Sequence, residues 1–324
     1  MVISGLYFYG YVHPWFLLLL LASTITDFYC SLGIERFRER RGQFLLISVL
    51  VNLGLLSIFK YFNFFMENLQ VVLSAMGFTV APITLQVILP VGISFYTFQT
   101  MSYTIDVYRG SLSARHSFLD FIAFTSFFPP LVAGPITRGK ELLPQIEAQP
   151  NFSWQLFQGG FFLIVWGFFK KLVISDNVAM IANKVFLLED PSFFILWAGA
   201  FAFSIQIFTD FSGYTDIARG TALLLGYRLP INFNHPYLAA SPTDFWKRWH
   251  ISLSQWIKDY VYIPLGGSRQ GVFSSSWTLM VAFLLCGLWH GANWNYIIWG
   301  GYHGLLILFY RYLGLLIPAD GLPK

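Results

Sequence analysis

Six histidines occur in the 324 residues. Three of them, His250, His290 and His303, fall within Asp244–Gly304, among tryptophans and glycines. Imidazole changes charge close to neutral pH, so it suits a general base. His290 follows the apolar run Leu279–Trp289 and precedes Gly291, Ala292, Asn293 and Trp294. An ionisable group in such a run costs roughly a few kcal/mol at a bilayer centre and marks function by default. Trp289 and Trp294 offer flat apolar walls. Gly291 permits close approach, and Asn293 supplies both a donor and an acceptor. A neutral imidazole in that pocket can take a proton from a hydroxyl. His250, before Ile-Ser-Leu-Ser, is placed by its sequence at a membrane interface, where it could admit or orient a ligand. A lone histidine is more often a satisfied core residue, and His13, His116 and His235 read that way. His303 stands between the two readings.

Other chemistries compete for the same residues. Three histidines could bind Zn²⁺, but His290 and His303 are not spaced i, i+4 and no carboxylate adjoins them, so no metal site is expected. Cys286 lies four residues before His290 and would share its helical face. Nothing near it lowers a thiol pKa, and both cysteines, Cys30 and Cys286, read as small core residues. No P-loop, dinucleotide glycine fingerprint or Gly-x-Ser-x-Gly elbow occurs. In Thr209–Gly220, Asp210, Asp216 and Arg219 interrupt apolar sequence. Asp216 and Arg219 can pair on one helical face and close a bundle. Alternatively, Asp210, Tyr214 and Asp216 line a polar cavity.

The elements that must carry these residues are membrane helices. The chain is 56% hydrophobic, 19% aromatic and only 11% charged, where soluble domains run at about 25% charged. The net charge of +4 is that of a chain oriented by basic loops, with no basic run suited to nucleic acid. We expect an all-α, polytopic transmembrane bundle forming one domain over residues 1–324. Spans are expected at Trp15–Leu32, retained rather than cleaved, and at Phe44–Phe65, Val87–Tyr108, Phe157–Ile174, Phe193–Phe208, Ser275–Trp289 and Tyr296–Ile317. Arg36, Arg38, Arg40 and Arg41 put the first loop inside. Lys60 is expected to snorkel to the interface. Met66–Leu85, with Gly77 and Pro82, reads as interfacial. Phe118–Ile136 carries Pro129-Pro130 and Gly134-Pro135, and is expected to be a broken or re-entrant helix. Ser175–Glu189 reads as a separate amphipathic surface helix. Asp244–Tyr260, capped by Ser241 or Thr243, reads as one aromatic, basic interfacial helix.

Four stretches together resemble the membrane-bound O-acyltransferase family: FPPLVAGPITR (128–138), QIFTDFSGYTDIARG (206–220), NFNHPYLAASPTDFWKRWHISLSQWIKDYVYIPLGG (232–267) and GLWHGANWNYIIWGGYHG (287–304). The likeness is to its bacterial, alginate O-acetylation branch. The resemblance implies a helical bundle with a tunnel through the membrane, and further spans at both ends of the family pattern than this chain has. It makes His290 the catalytic residue and His250 the second signature position. Lys247 and Arg248 would help orient a donor or its phosphates, with Trp289, Asn293, Asp210, Tyr214 and Asp216 on the substrate path. The implied donor is an acyl thioester, acetyl-coenzyme A or an acyl carrier, used as substrate with no bound cofactor. The implied acceptor is a cell-envelope polysaccharide or an acyl-relay protein, and the implied location is the bacterial inner membrane. Transfer of D-alanine to teichoic acid is the neighbouring enzyme reading. A non-catalytic scaffold or channel passing acyl groups or glycans is the reading from another class.

Overall fold

A computed structural model describes residues 1–316 except 80, 82, 149 and 270. Pro82 and Ile317 of the expected elements lie outside the described residues. In chain order the α-helices are α1 Val2–Val12, α2 Phe16–Arg36, α3 Arg41–Leu56, α4 Phe62–Ala75, α5 Ile93–Tyr108, α6 Phe118–Thr125, α7 Phe128–Leu131, α8 Gly139–Ala148, α9 Trp154–Phe168, α10 Asp176–Phe186, α11 Phe193–Leu224, α12 Pro242–Arg248, α13 Ile251–Ile257, α14 Gly271–His290 and α15 Trp294–Leu316. No strand occurs among the described residues. Among the described residues, five stretches are long and apolar enough to cross a membrane: Phe16–Arg36, Arg38–Ala75, Trp154–Phe186, Phe193–Leu224 and Gly271–His290.

Two of these stretches join helices through π turns, Ser57–Tyr61 between α3 and α4 and Phe169–Ser175 between α9 and α10. The extra residue of a π turn bends a helix without ending it. Two expectations are corrected here. Helix α4 runs on through Met66 to Ala75 within the stretch Arg38–Ala75, and within Ser175–Glu189 helix α10 continues the stretch Trp154–Phe186. The expected span Val87–Tyr108 is helical only from Ile93, because Gly92 adopts a left-handed φ of 76° at its start.

The chain divides into two compact units. The first comprises Met1–Leu17 and Arg115–Asn232; the second comprises Leu18–Ala114 and Phe233–Lys324. In the first unit α9 and α11 touch backbone to backbone. A Cβ on Gly167 would lie 2.6 Å from the Gly213 carbonyl oxygen, and one on Gly220 would lie 2.5 Å from that of Gly160. Small residues permit this approach where no hydrophobic force pulls helices together. The proline-rich segment is broken as expected: α6 ends at Thr125, and Pro129 and Pro130 open the short α7.

In the second unit α5 is buried on nearly every side. Its hydroxyls find partners on α2 and α3. Asp27 accepts hydrogen bonds from Ser48, from Asn52 Nδ2 at 2.8 Å and from Thr104 at 3.1 Å, while Asn52 Oδ1 accepts from Ser23 at 2.6 Å. Asp27 and Asn52 thus tie α2, α3 and α5 together through buried polar contacts.

Candidate active site

The second unit gathers the histidines of the sequence motifs. α14 and α15 pack through glycines: a Cβ on Gly287 would meet the Tyr296 carbonyl oxygen at 2.2 Å, and one on Gly300 that of Phe283 at 2.3 Å. This approach places Trp299 edge-on to His290, with ring centroids 5.1 Å apart. His290 is the last residue of α14. His250 lies 6.4 Å from it, centroid to centroid, and 5.8 Å from Trp289. His303 packs against Trp299 at 4.8 Å and Trp246 at 5.1 Å. Phe95 and Phe98 of α5 back Trp289 at 5.3 and 5.7 Å. Trp256 stacks on Phe98 at 3.7 Å and donates its indole N–H to the Phe98 carbonyl.

The expected helix Asp244–Tyr260 is interrupted. α12 ends at Arg248, Trp249 is extended, and His250 takes a left-handed conformation at φ 42°, ψ 55° before α13. That conformation is uncommon outside glycine, although histidine is among the residues enriched there. The kink turns His250 inward, where it is 1% exposed. Burial, and secondarily His290, hold its imidazole well below the usual histidine pKa. A neutral ring can accept a proton or donate a hydrogen bond. Ser241 caps α12 as expected, accepting from the Asp244 N–H at 3.1 Å. Arg248 Nε bonds Asp244 at 2.9 Å, and that hydrogen bond holds the Asp244 carboxyl below the usual carboxylate range. Lys247 is exposed.

Trp289 is buried, and its Nε1 has no hydrogen-bond acceptor among the described residues. Asn293 is exposed, and its Oδ1 accepts the Asn295 N–H at 2.8 Å, capping α15. Trp294 is 55% exposed and bonds Asn68. Trp299, rather than Trp294, is therefore the second wall beside His290. The i, i+4 spacing of Trp299 and His303 was the available signal for it. Lys60 is a correction to the sequence reading. It does not snorkel: its ammonium donates to the Trp289 carbonyl and, at 2.9 Å, to Ser94 Oγ. No local pattern joins residues 60 and 289.

Asp210, Tyr214 and Asp216 belong to the first unit. Asp210 and Tyr214 line a cavity of about 360 Å³ with Ala133, Lys171, Phe211 and Ile217. Lys171 bridges Asp210 at 2.6 Å and Asp176 at 2.8 Å. Asp216 does not line that cavity. It accepts from Lys170 at 2.7 Å and lies 3.5 Å from Arg219. Both earlier readings of this stretch thus have a counterpart, in different carboxylates. Among the described residues no group of three His, Cys, Asp or Glu side chains is placed to hold a metal ion.

Residues 108–322 match the membrane-bound O-acyltransferase family. The chain belongs to the membrane-bound O-acyltransferase family. It is 42% identical, over 97% of its length, to "Probable alginate O-acetylase AlgI" of Pseudomonas aeruginosa, covering 61% of that protein. It is 36% identical, over 96%, to "Peptidoglycan O-acetyltransferase" of Helicobacter pylori, covering 64% of it. Against "Teichoic acid D-alanyltransferase" of Bacillus subtilis the identity is 30% over 68% of the chain. The chain thus spans under two thirds of the length of the curated relatives it matches. As an O-acyltransferase-family protein with five spanning stretches, it is a multi-pass membrane protein.

Proposed function

We infer that this chain carries out O-acyl transfer, moving an acetyl group from a thioester donor to a hydroxyl of a cell-envelope polysaccharide or of a relay protein. The observation that carries the reading is the His250–His290 pair, with ring centroids 6.4 Å apart and both rings against Trp289. In the proposed reaction His290 takes the proton of the acceptor hydroxyl as its oxygen bonds to the thioester carbonyl carbon. The C–S bond then breaks, the sulfur keeps the electron pair, and the imidazolium returns the proton to the thiolate. The Trp289 indole N–H, buried and lacking an acceptor among the described residues, is a donor suited to the negative charge on the carbonyl oxygen. His250, buried and neutral, orients the donor or the hydroxyl. Lys247, exposed, meets donor phosphates, with Arg248 engaged by Asp244 beside it. Asn293 contributes through its remaining amide N–H groups. Asp210 and Tyr214 serve the acceptor side, with Asp216 as their support. The two units act as one catalytic domain in the bacterial inner membrane.

The test is transfer of label from radiolabelled acetyl-coenzyme A to envelope polymer in membranes, wild type against His290→Ala. Label that depends on His290 supports both reaction and base. Label that persists without His290 removes the base. No label from a folded protein, with D-alanyl transfer from a carrier instead, moves the reading to the teichoic acid branch, to which the chain has 30% identity.

A further inference from the structure

The carbonyls of the last turn of a helix have no intrahelical donor. A common solution is a left-handed glycine just past the end. Gly291 follows α14 directly, yet it is absent from the glycines with positive φ. What satisfies the turn comes from elsewhere in the second unit. Tyr61 donates its hydroxyl to the Leu288 carbonyl at 3.0 Å, and Lys60 donates to the Trp289 carbonyl. These are two adjacent side chains on two adjacent carbonyls, the last before His290. Both belong to the π turn Ser57–Tyr61, and such turns recur at functional sites.

The Lys60 ammonium is tied down further. It donates to Ser94 Oγ on α5 at 2.9 Å and lies 5.4 Å from the Trp289 ring centroid and 5.6 Å from that of Tyr61. It has no carboxylate partner among the described residues. A cation at a helix C-terminus is favoured by the helix dipole. A lysine kept inside a spanning stretch with only neutral partners is costly, and such residues mark function.

We propose that Lys60, with Tyr61, is the positioning pair of the transfer site: it caps α14 from outside and thereby fixes the aim of the His290 imidazole and the Trp289 indole. The proposal rests on the O-acyl transfer reading. In this role Lys60 acts through the helix end rather than on the reacting atoms. The expected consequence is a loss in turnover with little change in donor binding, because a misaimed base costs rate where a lost binding contact costs KM.

The test uses the full chain in detergent or nanodiscs, with Lys60→Met, Lys60→Arg and Tyr61→Phe. Two quantities are read: amide hydrogen exchange over residues 287–291, and kcat and KM for acetyl transfer. Lys60→Met is expected to speed exchange at that turn about ten- to a hundredfold. It should lower kcat about ten- to a hundredfold, with KM for the donor within about threefold. Lys60→Arg, which keeps charge and N–H donors, should recover most of both, and Tyr61→Phe should show a smaller version. Wild-type exchange at residues 287–291 in folded Lys60→Met overturns the proposal. So does faster exchange with unchanged kcat, because the contact would then be structural only. If His290→Ala transfers as well as wild type, the assignment of His290 as base fails separately, and the aim assigned to Lys60 fails with it even where exchange shows the cap.

Discussion

Each unit holds buried ionisable groups, and the two treat them in opposite ways. In the first unit both lysines of the π turn Phe169–Ser175 have carboxylates: Lys170 with Asp216, Lys171 with Asp176 and Asp210. In the second unit the ionisable groups around Trp289 are two histidines and a lysine, and the lysine has neutral partners only. Paired charges hold one another and resist change in protonation. Imidazole is the side chain that takes up and releases a proton nearest neutral pH. The contrast separates a site that fixes helices from one that can do chemistry.

The strongest way to break this comparison is His290→Ala. Transfer should fall about 10²- to 10⁴-fold with thermal stability nearly unchanged. A comparable loss of stability would mean that the histidine is a packing residue. Next, Asp216→Asn leaves Lys170, 9% exposed, without its counter-charge. By analogy with broken buried pairs, it should lower unfolding stability by about 3–5 kcal/mol. Lys170→Met should cost less, because Asp216 keeps Arg219 at 3.5 Å. Thermal melting in detergent reads both, and equal costs would show that Lys170 is not the principal partner.

Protonation gives a smaller effect. His250 titrates lower in the folded state than its ordinary value of 6.5, chiefly through burial. Between that value and the folded one the unfolded chain binds the extra proton. Stability should therefore fall as pH drops below about 6.5, and His250→Phe should flatten that slope. An unaltered slope would assign it to other groups. The smallest expected effect on stability is at Asp210, about half exposed beside Lys171. Asp210→Asn should change melting by under about 1 kcal/mol while raising KM for the acceptor. Unchanged acceptor kinetics would remove Asp210 from the substrate path.

Much of this was legible from residue types. Five expected spans follow from runs of apolar residues, while Val87–Tyr108 and Tyr296–Ile317 are not among the stretches of described residues long and apolar enough to cross a membrane; the break in Phe118–Ile136 follows from Pro129 and Pro130. Cap residues such as Ser241 announced α12. His290 stood out because an imidazole ends an apolar run. Other features left no local trace. A π turn uses the same residues as an α-helix, so Ser57–Tyr61 and Phe169–Ser175 read as ordinary helix. The kink at His250 depends on one backbone conformation within an otherwise periodic amphipathic pattern. The partner of Lys60 lies 229 residues away in sequence. Trp299 was passed over because Trp294 is nearer to His290 in the chain.

The left-handed backbone of His250 has a consequence for how the protein would respond to selection. Such a conformation costs of order 1–3 kcal/mol in a non-glycine residue, and glycine or asparagine would hold it more comfortably. Screening variants for heat tolerance alone would therefore favour His250→Gly or His250→Asn, and each gain would empty the ring from beside His290. At this position selection for stability and the role proposed for the ring favour different residues.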